Sequence, residues 1–284
     1  MANILFWNAG INKINKCKND DVVKLDHIDN CIIDLIMEKN CDLVILAEYQ
    51  NDLENLCNKI SLHGRDFKIG PTIQETRNKL IYDTRFDVEI IRDNTYFFIY
   101  NISFLEWECL LSGVHLPSKI RANDVDQELV GSQFKKLIEE SEREVGHNKI
   151  IIVGDFNANP YEKIMTKANM FHAIPNASIV ENKKSRVAYS ETWHMFYNPM
   201  WNFLGDKSEP NGTIKYDAGG AINLYWNLFD QSLFSADMIK YLINNSVQIV
   251  TGVKGYSLLD KNGFPNKKEF SDHLPIFFKI KEEK

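Results

Sequence analysis

The chain has 284 residues, of which 44% are hydrophobic and 25% are charged, a balance typical of an ordinary globular protein. Its formal net charge of -6 argues against tight, non-specific binding of nucleic acid, although a metal ion in an active site would supply positive charge that residue counting misses. No apolar run approaches the roughly 18 residues that a membrane-spanning helix needs, and the N-terminus lacks a basic signal region. We therefore predict a cytoplasmic protein that does not associate with membranes.

The cysteine pattern favours reduced thiols. The five cysteines are odd in number, and no CxxC motif occurs. A disulfide framework or a zinc site is therefore not expected. The cysteines are Cys17, Cys31, Cys41, Cys57 and Cys109.

The first part of the chain alternates between strand and helix patterns. Residues 4–7 form a short apolar run that predicts a buried strand, and apolar residues then recur at helical spacing over 25–36. Residues 42–47 predict a second buried strand, and residues 51–62 a further helix. The order strand, helix, strand predicts a parallel crossover.

The middle of the chain is rich in β-like segments. They cover residues 67–70, 79–83, 88–92, 96–102 and 107–114. Because turn residues stand between two of them at 92–95, we predict an antiparallel meander.

The second half returns to mixed patterns. We predict a helix over 125–138, an apolar strand over 149–153 and a short helix within 160–169, and late strands over 228–235 and 276–280 with a helix over 237–243 between them. Residues 175–226 are irregular and receive no assignment. The mixture predicts one domain over residues 1–284, with two β-sheets covered by helices.

Polar residues follow several of the apolar strands. Asn8, Glu48, His115, Asp155 and Asn157 each stand at the carboxyl end of such a strand. Strand ends that converge on one sheet edge are where α/β proteins place their sites. Each residue alone has a simpler explanation, a polar group that ends a strand at the surface, but their joint occurrence indicates a site.

Two clusters of residues indicate a site more specifically. In Gly154-Asp155-Phe156-Asn157, the glycine permits a tight turn and the two polar side chains can face one site from an extended segment. In Ser271-Asp272-His273-Leu274-Pro275, the carboxylate can bind a metal and the imidazole can act in acid–base chemistry or bind phosphate. The simpler alternatives are an Asx-turn for the first cluster and a capped strand for the second.

Taken in order and spacing, Asn8, Glu48 and these two clusters resemble the motifs of the endonuclease/exonuclease/phosphatase superfamily, which includes DNase I-like nucleases, AP endonucleases, deadenylases, sphingomyelinases and inositol polyphosphate 5-phosphatases. The resemblance runs from residue 5 to about residue 280. It implies a DNase I-like fold, which is a four-layer α/β sandwich with two packed mixed β-sheets flanked by helices.

The resemblance also implies a metal site. Glu48 would be the main Mg²⁺ ligand, with Asn8 and Asp272 assisting. Carboxylate and amide oxygens suit Mg²⁺, or Mn²⁺ as a substitute, better than Zn²⁺. Many relatives have Gln before this glutamate, whereas this chain has Ala47.

The same resemblance assigns catalytic roles. Asp155 would orient and deprotonate the attacking water, and Asn157 would hold that water or the phosphorane oxygens. His273 would stabilise the charge on the scissile phosphate, and Asp230 would hydrogen-bond this histidine, although Phe229-Asp230-Gln231 departs from the common family pattern. His115 matches a histidine of the DNase I and sphingomyelinase branches.

Nucleic acid is the leading substrate class, and a small-molecule or lipid phosphoester is the alternative. Aromatic residues within 189–226 could stack on bases or simply pack the segment. Lysines at 13, 16 and 18 and the basic runs at 183–186 and 267–268 could contact phosphates or be solvated surface. A non-catalytic binding protein is a third reading, which the presence of every motif residue disfavours. No protein partner is indicated.

Overall fold

The fold is built on two β-sheets. The computed structural model describes residues 1–11, 19–105, 107–119, 123–206, 209–217, 219 and 223–281. The α-helices are α1 (Asn19–Lys39), α2 (Leu53–Ser61), α3 (Asp124–Val145), α4 (Lys163–Thr166), α5 (Ala177–Lys183) and α6 (Ala236–Ile239), and a 3-10 helix covers Pro199–Phe203. The strands are β1 (Ala2–Asn8), β2 (Leu43–Ala47), β3 (Phe67–Ile69), β4 (Asn78–Asp83), β5 (Asp87–Asp93), β6 (Phe97–Phe104), β7 (Trp107–His115), β8 (Ile150–Asp155), β9 (Ala173–Ile174), β10 (Ser185–Ala188), β11 (Glu191–His194), β12 (Phe196–Tyr197), β13 (Ile214–Lys215), β14 (Trp226–Asn227), β15 (Asp230–Ser235), β16 (Gln248–Ile249), β17 (Gly252–Val253), β18 (Tyr256–Ser257) and β19 (Ile276–Ile280).

Both large sheets are mixed. The first has the strand order β16-β19-β1-β2-β4-β3, and the second has the order β5-β6-β7-β8-β15-β12-β9. In the first sheet β1 pairs parallel with β2 and antiparallel with β19. In the second sheet β8 pairs parallel with β7 and antiparallel with β15. The predicted parallel crossover from β1 through α1 to β2 is confirmed.

The alternation of side chains along β8 explains the layers. Ile151 and Val153 belong to the core cluster shared with the first sheet, whereas Ile150 and Ile152 belong to a second cluster with Phe134 of α3. Because successive side chains of a strand point to opposite faces, the second sheet packs on the first sheet with one face and on α3 with the other. Helices α1 and α2 add their buried side chains to the first cluster, so the predicted two sheets flanked by helices are confirmed.

Two predictions about the elements need correction. The predicted antiparallel meander is divided, because β3 and β4 pair in the first sheet while β5, β6 and β7 pair in the second. The buried Phe86 lies in the crossing between them. The helix predicted over 237–243 is the shorter α6. The segment 175–226, which received no assignment, contains α5, the strands β10 to β13 and the 3-10 helix among its described residues.

The described ranges contain four of the five cysteines. Cys31, Cys41, Cys57 and Cys109 are free thiols, and Cys17 lies outside the described residues. Among the helices that the structure describes, none combines the length and the apolar character needed to cross a bilayer.

Candidate active site

The predicted site residues meet at one edge of the two sheets. Strands β1, β2, β7 and β8 end at this edge, and the antiparallel strands β15 and β19 begin at it. The strand directions therefore bring distant parts of the sequence together. The residues at this edge are Asn8, Glu48, His115, Asp155, Asn157, Asp230, Asp272 and His273.

Asp155 lies at the centre of the site. Its side chain is buried, with 2% relative exposure. The amide of Asn8 donates to Asp155 Oδ2 at 2.9 Å, and the backbone N–H of Asn157 donates to Asp155 Oδ1 at 2.8 Å. Because both carboxylate oxygens accept a hydrogen bond, the carboxylate is held in one orientation.

His273 and Asp230 form a buried pair beside Asp155. His273 Nδ1 lies 2.8 Å from Asp230 Oδ2, and His273 Nε2 lies 4.0 Å from Asp155 Oδ2. Burial opposes protonation of His273, but the Asp230 carboxylate outweighs it, and the pKa of His273 is raised. Burial also raises the pKa of Asp230, against the opposing effect of His273. The short contact between the two groups is therefore a hydrogen bond that the protonated His273 ring donates to the Asp230 carboxylate.

His115 and Glu48 form a looser pair on the other side of Asp155. His115 Nε2 lies 3.6 Å from Glu48 Oε1 and 3.8 Å from Asp155 Oδ2. Burial lowers the pKa of His115 in spite of these two carboxylates, so this imidazole is neutral where that of His273 is charged. Burial raises the pKa of Glu48, and His115 lowers it while Asp155 raises it.

These contacts form a row of pairs between the two sheets. The first sheet contributes Glu48 directly after β2, Asn8 at the end of β1, and His273 three residues before β19. From the second sheet come His115, Asp155 and Asp230, on the adjacent strands β7, β8 and β15. We call Glu48–His115, Asn8–Asp155 and His273–Asp230 the three cross-sheet pairs.

The backbone around the site is specialised. Glu48 and Asn157 have positive φ angles of 50° and 48°, an uncommon conformation for residues other than glycine and one that clusters at functional sites. A Cβ atom at Gly154 would lie 1.9 Å from the carbonyl oxygen of Val114. Only glycine therefore permits β7 and β8 to approach this closely, which explains the glycine before Asp155.

The donor set fits a hard divalent cation. Among the described His, Cys, Asp and Glu side chains, the group with ligand atoms within 4.8 Å of one another is Asp155, Asp230 and His273, but two of these already form the imidazolium–carboxylate pair. Glu48 is partly exposed, and its charge is disfavoured by burial and, in addition, by repulsion from Asp155 and Asp272. A cation beside Glu48 would relieve this repulsion, so the oxygen-rich surroundings suit Mg²⁺ or Mn²⁺. The ligand set of Glu48, Asn8 and Asp272 stays a prediction.

Residues that the sequence did not single out hold the site together. The indole of Trp7 donates to the carbonyl oxygen of His273 at 2.8 Å. The hydroxyl of Ser271 donates to the carbonyl oxygen of Asn8 at 2.6 Å and accepts from the backbone N–H of His273. Thr213 Oγ1 accepts from the backbone N–H of Asp230. Trp7 and Ser271 adjoin the motifs, but Thr213 lies in the segment without an assignment and carried no signal.

A concave pocket adjoins the site. It has a volume of about 490 Å³ and includes Gln127, Asn159, Tyr161, Tyr216 and Phe229 in its lining. Phe229 directly precedes Asp230, and the side chain of Gln127 donates to the carbonyl oxygen of Asn157 at 3.4 Å. The pocket wall is therefore continuous with the ends of β8 and β15 that carry Asp155 and Asp230.

The lysines that were predicted to contact phosphates differ in their distance from the candidate site. Lys24 Nζ donates to the carbonyl oxygen of Lys267 at 2.9 Å, and Lys24 lies close enough to Asp272 for their charges to interact. Lys184 is paired with Asp237 at 2.7 Å, away from the three cross-sheet pairs. The lysines at 13, 16 and 18 lie outside the described residues.

The aromatic segment divides into packed and exposed rings. Trp226 packs on Phe264 with ring centroids 5.9 Å apart, whereas Tyr216 and Tyr225 are 45% and 54% exposed. Tyr189 is fully exposed at the tip of the hairpin formed by β10 and β11. Packing therefore explains some of the aromatic residues in this segment. The exposed Tyr216 also lines the pocket.

Comparison with known proteins identifies the fold. No protein-family model matches the chain, and no curated protein matches it. An endonuclease/exonuclease/phosphatase family protein from Bacteroides thetaiotaomicron superposes with a TM-score of 0.58 at 12% identity, over 99% of this chain and 98% of that one. TDP2 from D. rerio, complexed with single strand DNA product, has a TM-score of 0.56 at 13% identity and covers 99% of each chain.

A mannosyl-6-phosphatase from Bacteroides thetaiotaomicron has a TM-score of 0.58 at 11% identity, again over 99% of each chain. At such low identity these likenesses concern the fold. The order of the strands, the packing of the two sheets and these superpositions agree with one another. The chain therefore has the fold of the endonuclease/exonuclease/phosphatase superfamily, as the resemblance of its motifs predicts.

Proposed function

We propose that this chain is a metal-dependent phosphodiester hydrolase that cleaves DNA or RNA, with Mg²⁺ as its cofactor and Mn²⁺ as a substitute. The observation that carries the proposal is the position of the Asp155 carboxylate, 4.0 Å from the ring of His273. A proton acceptor and a stabilised cation stand side by side there. In-line hydrolysis needs both, one to take a proton from water and one to offset charge on the phosphate.

The roles follow from the contacts of each side chain. Asp155, oriented by Asn8 and by the backbone of Asn157, accepts the proton of the attacking water as the water oxygen bonds to phosphorus. His273, kept charged by Asp230, donates a hydrogen bond to a phosphate oxygen while the bond to the leaving oxygen breaks.

His115 is a neutral imidazole and donates or accepts a hydrogen bond without adding charge. Glu48 is the side chain that would chiefly hold the cation, with Asn8 and Asp272 nearby. When bound, such a cation polarises the phosphoryl oxygen and offsets charge on the leaving oxygen.

Nucleic acid is the substrate class that we favour. The D. rerio TDP2 structure holds a single strand DNA product, and it shares this fold over nearly the whole chain. The tyrosine-bearing pocket next to Asn157 would accept a base, because aromatic rings stack on nucleobases.

A small-molecule phosphoester is the second candidate. Its support is the same pocket of about 490 Å³, which has the size of a small-ligand site. The mannosyl-6-phosphatase with the same fold illustrates the possibility of a sugar phosphate.

A cleavage assay separates these candidates. End-labelled single- and double-stranded DNA and RNA would be incubated with Mg²⁺ or Mn²⁺ and with wild type, Asp155→Asn or Asp237→Asn. The last variant is the matched control, since Asp237 pairs with Lys184 on the surface. Cleavage by wild type and Asp237→Asn, but not by Asp155→Asn, is expected.

If no nucleic acid is cleaved but phosphate is released from sugar phosphates, the second candidate is correct. If neither reaction occurs with the metal present, the proposal is wrong.

A further inference from the structure

The row of cross-sheet pairs continues by one more pair, Arg77 and Tyr96. Arg77 directly precedes β4, and Ala47 of β2 pairs with Asn78 of β4, so Arg77 stands beside Glu48. Tyr96 directly precedes β6, and its carbonyl oxygen accepts from the backbone N–H of His115 at 2.7 Å. The Arg77 guanidinium lies over the Tyr96 ring, 5.0 Å from its centroid. This contact extends the row of pairs by one strand in each sheet.

Within the described part of the chain, Arg77 differs from other partly buried arginines in its ion pairing. Among the residues that the structure describes, no carboxylate lies within ion-pair distance of its guanidinium, whereas the partly buried Arg65 and Arg92 each contact a carboxylate. Arg77 is itself partly buried, where an unpaired charge is costly.

The segment that carries Arg77 is fixed in place. The carboxylate of Asp93 accepts hydrogen bonds from the backbone N–H groups of Ile73 and Gln74, at 2.7 and 3.1 Å. The backbone N–H of Arg77 donates to the carbonyl oxygen of Thr95 at 3.1 Å. The side chain of Asn78 donates to the carbonyl oxygen of Gly113 in the other sheet. A guanidinium presented by such a rigid segment is preorganised for a ligand.

We propose that Arg77, supported by the ring of Tyr96, binds a second phosphate group of the substrate, adjacent to the one that is hydrolysed. This inference rests on the proposed function. Arginine on an aromatic face is suited to bidentate recognition of phosphate. Neighbouring strands are about 4.8 Å apart, so Arg77 stands one strand beyond the Glu48–His115 pair and farther still from His273. This position suits the neighbouring phosphate better than the scissile one.

The test compares dinucleotides that differ in one phosphate. Thymidylyl-thymidine without a terminal phosphate, with a 5′-phosphate and with a 3′-phosphate would be titrated calorimetrically into Asp155→Asn with Mg²⁺ present. We expect one of the two added phosphates to tighten binding by about tenfold or more, which is the strength of a charged hydrogen bond. Adding Arg77→Met should abolish this gain, and adding Arg77→Lys should retain part of it.

Arg143→Met in the same background is the matched control, because it removes the same charge from the exposed end of α3, and the gain should persist there. A gain that persists with Arg77→Met would overturn the inference, as would the absence of any gain in Asp155→Asn. Equal weakening of all three dinucleotides by Arg77→Met would assign Arg77 to the scissile phosphate and also overturn it. Hydrolysis of the same dinucleotides by wild type separately tests the proposed function.

Discussion

Strands β2 and β4 carry charged residues at both ends, and the two ends differ in how these charges are paired. At one end Arg65 contacts Asp42 and Asp83 at 3.0 and 2.7 Å, and Arg85 contacts the same two carboxylates. At the other end Glu48 lies 3.6 Å from the imidazole of His115, whose pKa is lowered by burial. The paired end satisfies each buried charge within the protein.

At the candidate active site, the charges of the side chains are not all balanced in this way. The carboxylates of Asp155 and Asp272 disfavour the charge of Glu48 there, in addition to burial, and the nearby Arg77 has no carboxylate within ion-pair distance among the described residues. Charge that a fold leaves unbalanced costs stability, and it marks sites where function sets the sequence. The comparison predicts that substitutions at the two ends separate activity from stability.

The largest expected effect is the loss of turnover in Asp155→Asn. Removal of the proposed general base should reduce the rate about 10²- to 10⁴-fold, while the protein stays folded, with a slightly lower melting temperature because one of the two hydrogen bonds that the carboxylate accepts is lost. The measurement is single-turnover cleavage together with thermal unfolding. Retention of more than a tenth of the rate would show that Asp155 does not take the proton.

The second effect is a loss of stability at the paired end. Asp83→Asn leaves Arg65 and Arg85 with one shared carboxylate, and we expect the free energy of unfolding to fall by about 2–3 kcal/mol, somewhat less than for a fully buried pair. Urea unfolding measures this change. The activity of the folded variant should equal that of wild type. If activity falls as much as stability does, the two ends of β2 and β4 do not differ in the way that we propose.

The Asp83 carboxylate should also make the free energy of unfolding depend on pH, with a smaller effect. Burial raises the pKa of Asp83, but hydrogen bonds from Arg85 and Arg65 outweigh it, and the pKa lies below its ordinary value of 3.8. A carboxyl group whose pKa is lower in the folded state stabilises the protein above its unfolded pKa, and this contribution is lost as the pH falls through the folded pKa.

The difference in unfolding free energy between wild type and Asp83→Asn should therefore be constant near neutrality and shrink below about pH 4. Urea unfolding over a pH series measures it. A difference that grows on acidification would contradict the assignment.

The smallest expected effect is a gain in stability. Glu48→Gln removes a carboxylate whose charge is disfavoured by burial and by Asp155, so the metal-free protein should become more stable by about 1 kcal/mol, as is common when strained functional residues are replaced. Thermal unfolding in a chelating buffer measures it. Destabilisation by a similar amount would mean that Glu48 is structurally satisfied without a cation.

The sequence predicts the strand ends better than the connections between them. Residues such as Asp155 and Asn8 follow apolar runs whose pattern is local, so their convergence could be expected from the fold class. β4 and β5 lie in different sheets, with Phe86 buried in the crossing between them, and no local sequence pattern reports this division. The fourth pair, Arg77–Tyr96, joins residues from two different sheets and so needed the strand registers.

Binding of Mn²⁺ tests the central claim most directly, namely that the unbalanced end of β2 is built for a divalent cation. Paramagnetic resonance would follow Mn²⁺ titrations of wild type, Glu48→Gln and Asp83→Asn. We predict saturable binding to wild type and Asp83→Asn, and binding weakened by about tenfold or more in Glu48→Gln. Equal Mn²⁺ affinity in all three proteins would contradict the account.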